Sequence, residues 1–143
     1  MKHDPFIWLI IVVLSTLSCG VVYASPTKVS ITVIEAKSNT VQVDPKLSVL
    51  KSSLRSSFPQ FTHFKWVSHS DRTMKKNHNE IIKISNGLDA HFRLLQRTSD
   101  LAHLSLKIPA KKAQFTLNAR LSRLFYQAMR WKGKTYLLAI RAQ

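Results

Sequence analysis

Apolar side chains fall on every second position through long stretches of this chain, a period that admits strands and disfavours helices there. In Val29-Ser30-Ile31-Thr32-Val33 the apolar set is wholly β-branched, as suits a strand half facing a core. Phe61 to Val67 resumes β character, with Phe64 and Trp66 expected inward, and the polar, basic run from Ser68 to Asn79 reads as a loop or weak strand. A turn at Ser85-Asn86-Gly87 sets Ile84 against Leu88, Ile82 against Ala90 and Glu80 against Phe92. A second turn near Thr98 sets Ile108 against Leu88, Leu106 against Ala90, Leu104 against Phe92 and Ala102 against Leu94. The other face of that hairpin then pairs Lys107 with Asp89, Ser105 with His91 and His103 with Arg93. Pro109 to Lys112 turns the chain, and Phe115, Leu117, Ala119 and Leu121 alternate with Gln114, Thr116, Asn118 and Arg120 as a further strand with one wet face. Leu124 to Arg130 and Thr135 to Arg141 form a last hairpin about Lys132-Gly133. Both faces of this hairpin carry apolar groups, which places it near a sheet centre or under a helix.

One helix is legible. Asp44 caps it, Pro45 occupies the first turn where a missing N–H costs nothing, and Pro59 stops it. Leu47, Leu50, Leu54 and Phe58 form its apolar stripe, with Lys46, Lys51, Ser52, Arg55 and Ser56 on the other side. The expected fold is α+β: a mostly antiparallel sheet of about six or seven strands with one amphipathic helix near the N-terminus. Residues 25–143 then make a single domain.

Residues 1–24 stand apart. Lys2 gives a small positive start, Phe6 to Leu17 is almost wholly apolar, and Val22-Tyr23-Ala24 offers a cleavage site. The pattern predicts a secretory signal peptide or, uncleaved, a membrane anchor. Lys2 and Asp4 cancel, so the formal charge of +15 belongs to the residues that follow. The single cysteine, Cys19, lies inside the segment, leaving the rest of the chain without disulfides or thiolate zinc sites. An exported protein of this composition fits the periplasm or cell envelope.

No catalytic cassette is visible: HExxH, GxSxG, Gly-rich phosphate loops and calcium loops are missing from the sequence. No cofactor or metal is expected either, because Arg93 between His91 and His103 would repel a cation. His69-Ser70-Asp71 places triad-type residues consecutively, whereas a nucleophilic triad is assembled from separate segments. The charge is the better lead. Arg72, Lys75, Lys76 and His78 are expected in one loop, His91, Arg93, His103 and Lys107 on one sheet face, and Lys111, Lys112, Arg120 and Arg123 just beyond. With Trp131 beside them, these residues suit an anion-binding surface of strong salt dependence.

The run Ile31 to Ala36, the helix start Val43 to Leu47, the stripe Leu50, Leu54 and Phe58, then Phe64-Lys65-Trp66 and Tyr136 to Ile140, resemble a group of small, uncharacterised exported α+β proteins of Gram-negative bacteria. The resemblance implies an exported α+β domain and assigns no active residue. The expected function is a non-catalytic binding or assembly module of the bacterial cell envelope, docking an acidic partner protein, an anionic polymer or a membrane surface through its basic face. The alternatives are an exported nucleic-acid-binding protein and a small periplasmic hydrolase.

Overall fold

The computed structural model describes residues 26–143, so the expected signal peptide or anchor, residues 1–24, lies outside the described residues. The strands are β1 (Thr27–Lys37), β2 (Gln42–Val43), β3 (His63–Met74), β4 (Asn79–Ser85), β5 (Leu88–Arg97), β6 (Leu101–Ile108), β7 (Ala113–Arg120), β8 (Leu124–Trp131) and β9 (Lys134–Ala142). One five-stranded sheet has the order β2-β3-β1-β9-β8, and a four-stranded sheet is the meander β4-β5-β6-β7. All pairings between these strands are antiparallel except the short one between β2 and β3, and an isolated parallel bridge joins Lys76 to Leu94.

The two sheets share one core. Val29, Ile31 and Val33 of β1 and Tyr136, Leu138 and Ile140 of β9 pack with Phe92, Leu94, Leu104 and Leu106 of the meander. The alternate residues of the same strands, Ile34, Ala36, Leu137 and Ala139, form a second core with Phe64, Leu47 and Leu54. β9 is therefore buried on both faces, which explains why its hairpin carries apolar groups at consecutive positions. β1 pairs with β9, and backbone bonds between Lys28 and Gln143 tie the start of β1 to the residue after β9.

The α+β expectation is overturned: the described residues are mostly β, with nine strands in two sheets and one α-helix of seven residues, α1 (Lys51–Ser57), among them. The longer helix expected from Pro45 onward is interrupted. Pro45–Leu47 forms a 3-10 turn, capped as anticipated by Asp44, whose Oδ1 accepts from the Lys46 N–H at 3.0 Å. Ser48 and the β-branched Val49 then favour a turn over helix continuation, and α1 starts at Lys51 with Leu50 in the N-cap position, which offers no side-chain cap. The apolar stripe survives the break: Leu47 and Leu54 are buried, and Leu50 and Phe58 pack beside them. Phe58 meets the Tyr126 ring edge-on at 5.4 Å between centroids. The Tyr126 hydroxyl donates to Ser53 at 2.9 Å, and burial raises its pKa.

Two further expectations are settled or changed. Of the stretch from Ser68 to Asn79, expected as a loop or weak strand, the part up to Met74 is strand, because β3 continues along the whole of β1. A bulge between Val33 and Ile34 interrupts that ladder. In the meander, Ile82–Ala90 and Glu80–Phe92 pair as anticipated, with the tip tightened to Ser85–Leu88 and Gly87 at φ 75°. The next hairpin is displaced by two residues: Phe92 pairs with Leu106 and Leu94 with Leu104, and a bulge separates Leu94 from Gln96. A two-residue slip leaves every side chain on its own face, so the apolar pattern alone could not detect it. The turn decides it, through Thr98 N–H to Leu101 C=O at 2.9 Å and the reciprocal Leu101 N–H to Thr98 Oγ1 at 3.1 Å.

Candidate anion-binding interface

Alternation along the meander sends Phe92, Leu94, Leu104 and Leu106 inward and Arg93, Ser105 and Lys107 outward. The outward face brings His91 directly opposite Lys107, and Arg93 opposite Ser105. The anticipated pairs Lys107–Asp89, Ser105–His91 and His103–Arg93 do not form, because of the two-residue displacement; Asp89 pairs instead with Lys83. His103 lies between Gln96 and Asn118, with its Nδ1 2.7 Å from the Asn118 side-chain oxygen. Since that oxygen only accepts, this amide orientation makes Nδ1 the protonated ring nitrogen.

The remaining basic residues border the same sheet. Lys75, Lys76 and His78 are exposed in the connection leading into β4, held near β5 by Asn77 N–H to Leu94 C=O at 2.8 Å. Lys111 and Lys112 follow β6; the Lys111 ammonium donates to the Arg130 carbonyl, and Lys112 adopts a left-handed backbone with φ 50°. Arg120 ends β7 opposite Leu101, and Arg123 stands exposed in the turn after it. Two residues fit the expected surface poorly. Arg72 lies on β3, with its Nε 3.5 Å from Glu80 Oε2, so it does not share a loop with Lys75 and its charge is already answered. Trp131 is half-buried against the shared core, and its indole N–H is buried with no acceptor among the described residues, so it is a packing residue and not an open stacking platform.

The outward face thus presents Lys83, Arg93, Lys107 and Arg120 with Asp89 as its one carboxylate, and no described element packs over it. In the ladder Lys83 stands opposite Asp89, Arg93 opposite Asn79 and Ser105, and Lys107 opposite His91 and Gln114. Arg93 and Lys107 are therefore diagonal neighbours about 7–8 Å apart, while Arg120 lies at the far end of β7 opposite Leu101.

Sequence reasoning missed a second polar array. His69 and Asp71, two residues apart on β3, necessarily share a face, and they stand opposite Thr32 and Ser30 of β1. Thr32 Oγ1 lies 2.8 Å from His69 Nδ1, His69 Nε2 lies 3.1 Å from Asp71 Oδ1, and Ser30 donates to that same oxygen at 2.6 Å. The order hydroxyl, imidazole, carboxylate is that of a nucleophilic relay, but the His69 and Asp71 side chains are 42% and 72% exposed. Water competes for every bond in such an array, and it is best understood as a ladder of cross-strand pairs on a wet face. The hydrogen bond from Ser30 is the main cause that holds the Asp71 carboxyl below its ordinary pKa, and the charge on His69 adds to it. Because the folded value is depressed, the array stabilises the fold above the unfolded pKa and loses that contribution as pH falls through the folded one. Ser30→Ala is expected to move the Asp71 titration upward, followed by carboxyl carbon shifts; an unmoved titration would remove Ser30 as the cause.

Among the described residues, no three His, Cys, Asp or Glu side chains gather as they would around a metal ion, and no helix is long and apolar enough to cross a membrane. No family model, curated protein or solved structure matches the chain.

Proposed function

We propose that this chain is a non-catalytic binding module of the bacterial cell envelope that docks on an acidic partner protein or envelope polymer through the outward face of the meander. One observation carries this reading: a sheet face with a single carboxylate, Asp89, beside Lys83, Arg93 and Lys107, open among the described residues. The envelope follows from the predicted export segment and from the lack of cysteine after it, since a periplasmic anion is met before a genomic one. Arg93 and Lys107 stand on the two inner strands of the meander, so a polyanion crossing the sheet meets both.

Retention on an immobilised acidic polymer across a salt series tests the reading. Retention should fall steeply with salt, and the double reversal Arg93→Glu with Lys107→Glu should weaken it at least ~10-fold, because four units of charge change at the centre of the face. Equal retention of the double variant would remove this face as the docking surface. Gel retardation of duplex DNA in parallel separates the nucleic-acid alternative: tighter capture of DNA than of acidic polymer or protein at matched salt would favour it.

A further inference from the structure

The edge of a sheet offers a row of unpaired N–H and C=O groups to any extended chain, and charged side chains, bulges or covering groups ordinarily guard it. Here the five-stranded sheet ends on β8 and, past the two residues of β2, on β3; the meander ends on β4 and β7. Three of these edges are guarded. β3 carries Lys65, Asp71 and Arg72, and Arg72 reaches across to Glu80 of β4. β4 carries Glu80 and Lys83 and breaks its register before Ser85. On β8 the Lys111 ammonium takes up the Arg130 carbonyl.

β7 has none of these devices. Residues 113–119 carry no charge, and β7 runs against β6 from end to end without a bulge. Among the described residues, no backbone bond reaches residues 113–119 from any element but β6. Phe115 shares a face with the buried Leu117 and Ala119, yet it is 38% exposed. Across the sandwich β7 faces β9, while β8 meets no meander strand as closely, and its Phe125 is only partly buried. One further strand beside β7 would shelter Phe115.

The surrounding charge selects the occupant. Residues 101–123 contain no Asp or Glu, against Lys107, Lys111, Lys112, Arg120 and Arg123. Lys111 and Lys112 stand at one end of the β7 edge, Arg120 and Arg123 at the other. A second copy pairing antiparallel would bring Lys111 and Lys112 of one chain beside Arg120 and Arg123 of the other, and like charges across a ladder are destabilising. An acidic chain meets the reverse. We propose that β7 receives an added strand from an acidic partner protein. That strand is an extended segment whose alternate apolar side chains cover Phe115 and whose carboxylates lie near Lys112 and Arg120. Main-chain hydrogen bonds supply affinity in this mode, and alternate side chains supply specificity. The inference rests on the reading of the chain as an acid-docking module and names how a protein partner is held.

The probe is a synthetic peptide of alternating valine and threonine, as long as β7 and flanked by aspartates, titrated against the labelled protein. Saturable amide shifts should centre on residues 114–118, and alternate β7 amides should gain protection from hydrogen exchange. The same peptide flanked by lysines should bind at least ~10-fold more weakly, since it meets like charge at both ends. N-methylation separates edge pairing from simple charge attraction. Methyl groups on one alternate set of peptide amides should abolish binding, whereas the other set, whose N–H groups point away from β7, should be tolerated. In the protein, Phe115→Lys, an exposed change that places a guarding lysine on the edge, should abolish peptide binding. The same variant should keep its retention on the acidic polymer, so failure of the edge and failure of the docking reading are read separately. The proposal is overturned if the peptide does not bind, if the two N-methylated sets behave alike, or if the shifts fall on Arg93 and bypass β7. A concentration-dependent dimer that Phe115→Lys dissolves would assign the edge to a second copy and overturn it equally.

Discussion

Replacing Phe92 with alanine is expected to destabilise the protein by about 3–5 kcal/mol, the usual consequence of deleting a fully buried ring. Phe92 is 0% exposed and sits on β5, inside the meander, where Glu80 of β4 and Leu106 of β6 flank it in the ladder. Its ring faces the strands of the other sheet, so its loss leaves a void shared by both layers, and neither sheet can collapse into it alone. Domains of this size have a total stability of about 5–15 kcal/mol, so the variant should retain only a fraction of it. Urea unfolding followed by tryptophan fluorescence measures the change. Phe92→Leu, which keeps most of the volume, should cost less than about 1.5 kcal/mol. A loss below about 1 kcal/mol for the alanine variant would contradict a single core shared by the two sheets.

The second large effect concerns the other face of the five-stranded sheet. Leu54→Ala should cost about 2–5 kcal/mol, because Leu54 is 0% exposed and anchors α1 over Ile34, Phe64 and Leu137. Val49→Ala, only a few residues away, should change stability by less than about 0.5 kcal/mol, since Val49 is 88% exposed. Hydrogen exchange should locate the Leu54 effect. Protection should fall first in α1 and at the Tyr126 side of β8, while the meander keeps its protection until global unfolding. Equal loss of protection in both layers would show that α1 is not a separable cover but part of the central core.

Much of this architecture was legible because side-chain alternation is a local property. The inward sets Val29-Ile31-Val33, Ala102-Leu104-Leu106 and Leu117-Ala119 are all buried, and the hairpin of β8 and β9 turns at Lys132-Gly133 as expected. Asp44 caps the turn its neighbours predict. The extent of the helix was misjudged because Leu47, Leu50, Leu54 and Phe58 keep helical spacing across a chain that is not continuously helical; the stripe reports the face, and the Ser48-Val49 turn interrupts the backbone behind it. Arg93 and Lys107 point outward as alternation requires, but their cross-strand neighbours are Ser105 and His91 and not those expected, because the register is displaced by two residues. Arg72 was misplaced because the polar run from Ser68 gave no sign that β1 would carry β3 as far as Met74.

The amino-acid sequence by itself determined which side of each strand is wet, where the chain turns and where the charge accumulates, because those follow from neighbours a few positions apart. Only the tertiary structure decided that the strands divide into two sheets, that β1 lies between β3 and β9, and that Phe92 pairs with Leu106. It alone left β7 at a sheet edge, and aligned Thr32 and Ser30 with His69 and Asp71. The physical reason is the period of two: it fixes the face of a side chain, but any strand of matching pattern can serve as its neighbour, and an even slip preserves every face. Partner and register are settled by turn hydrogen bonds and by the fit of cores assembled from residues distant in the chain.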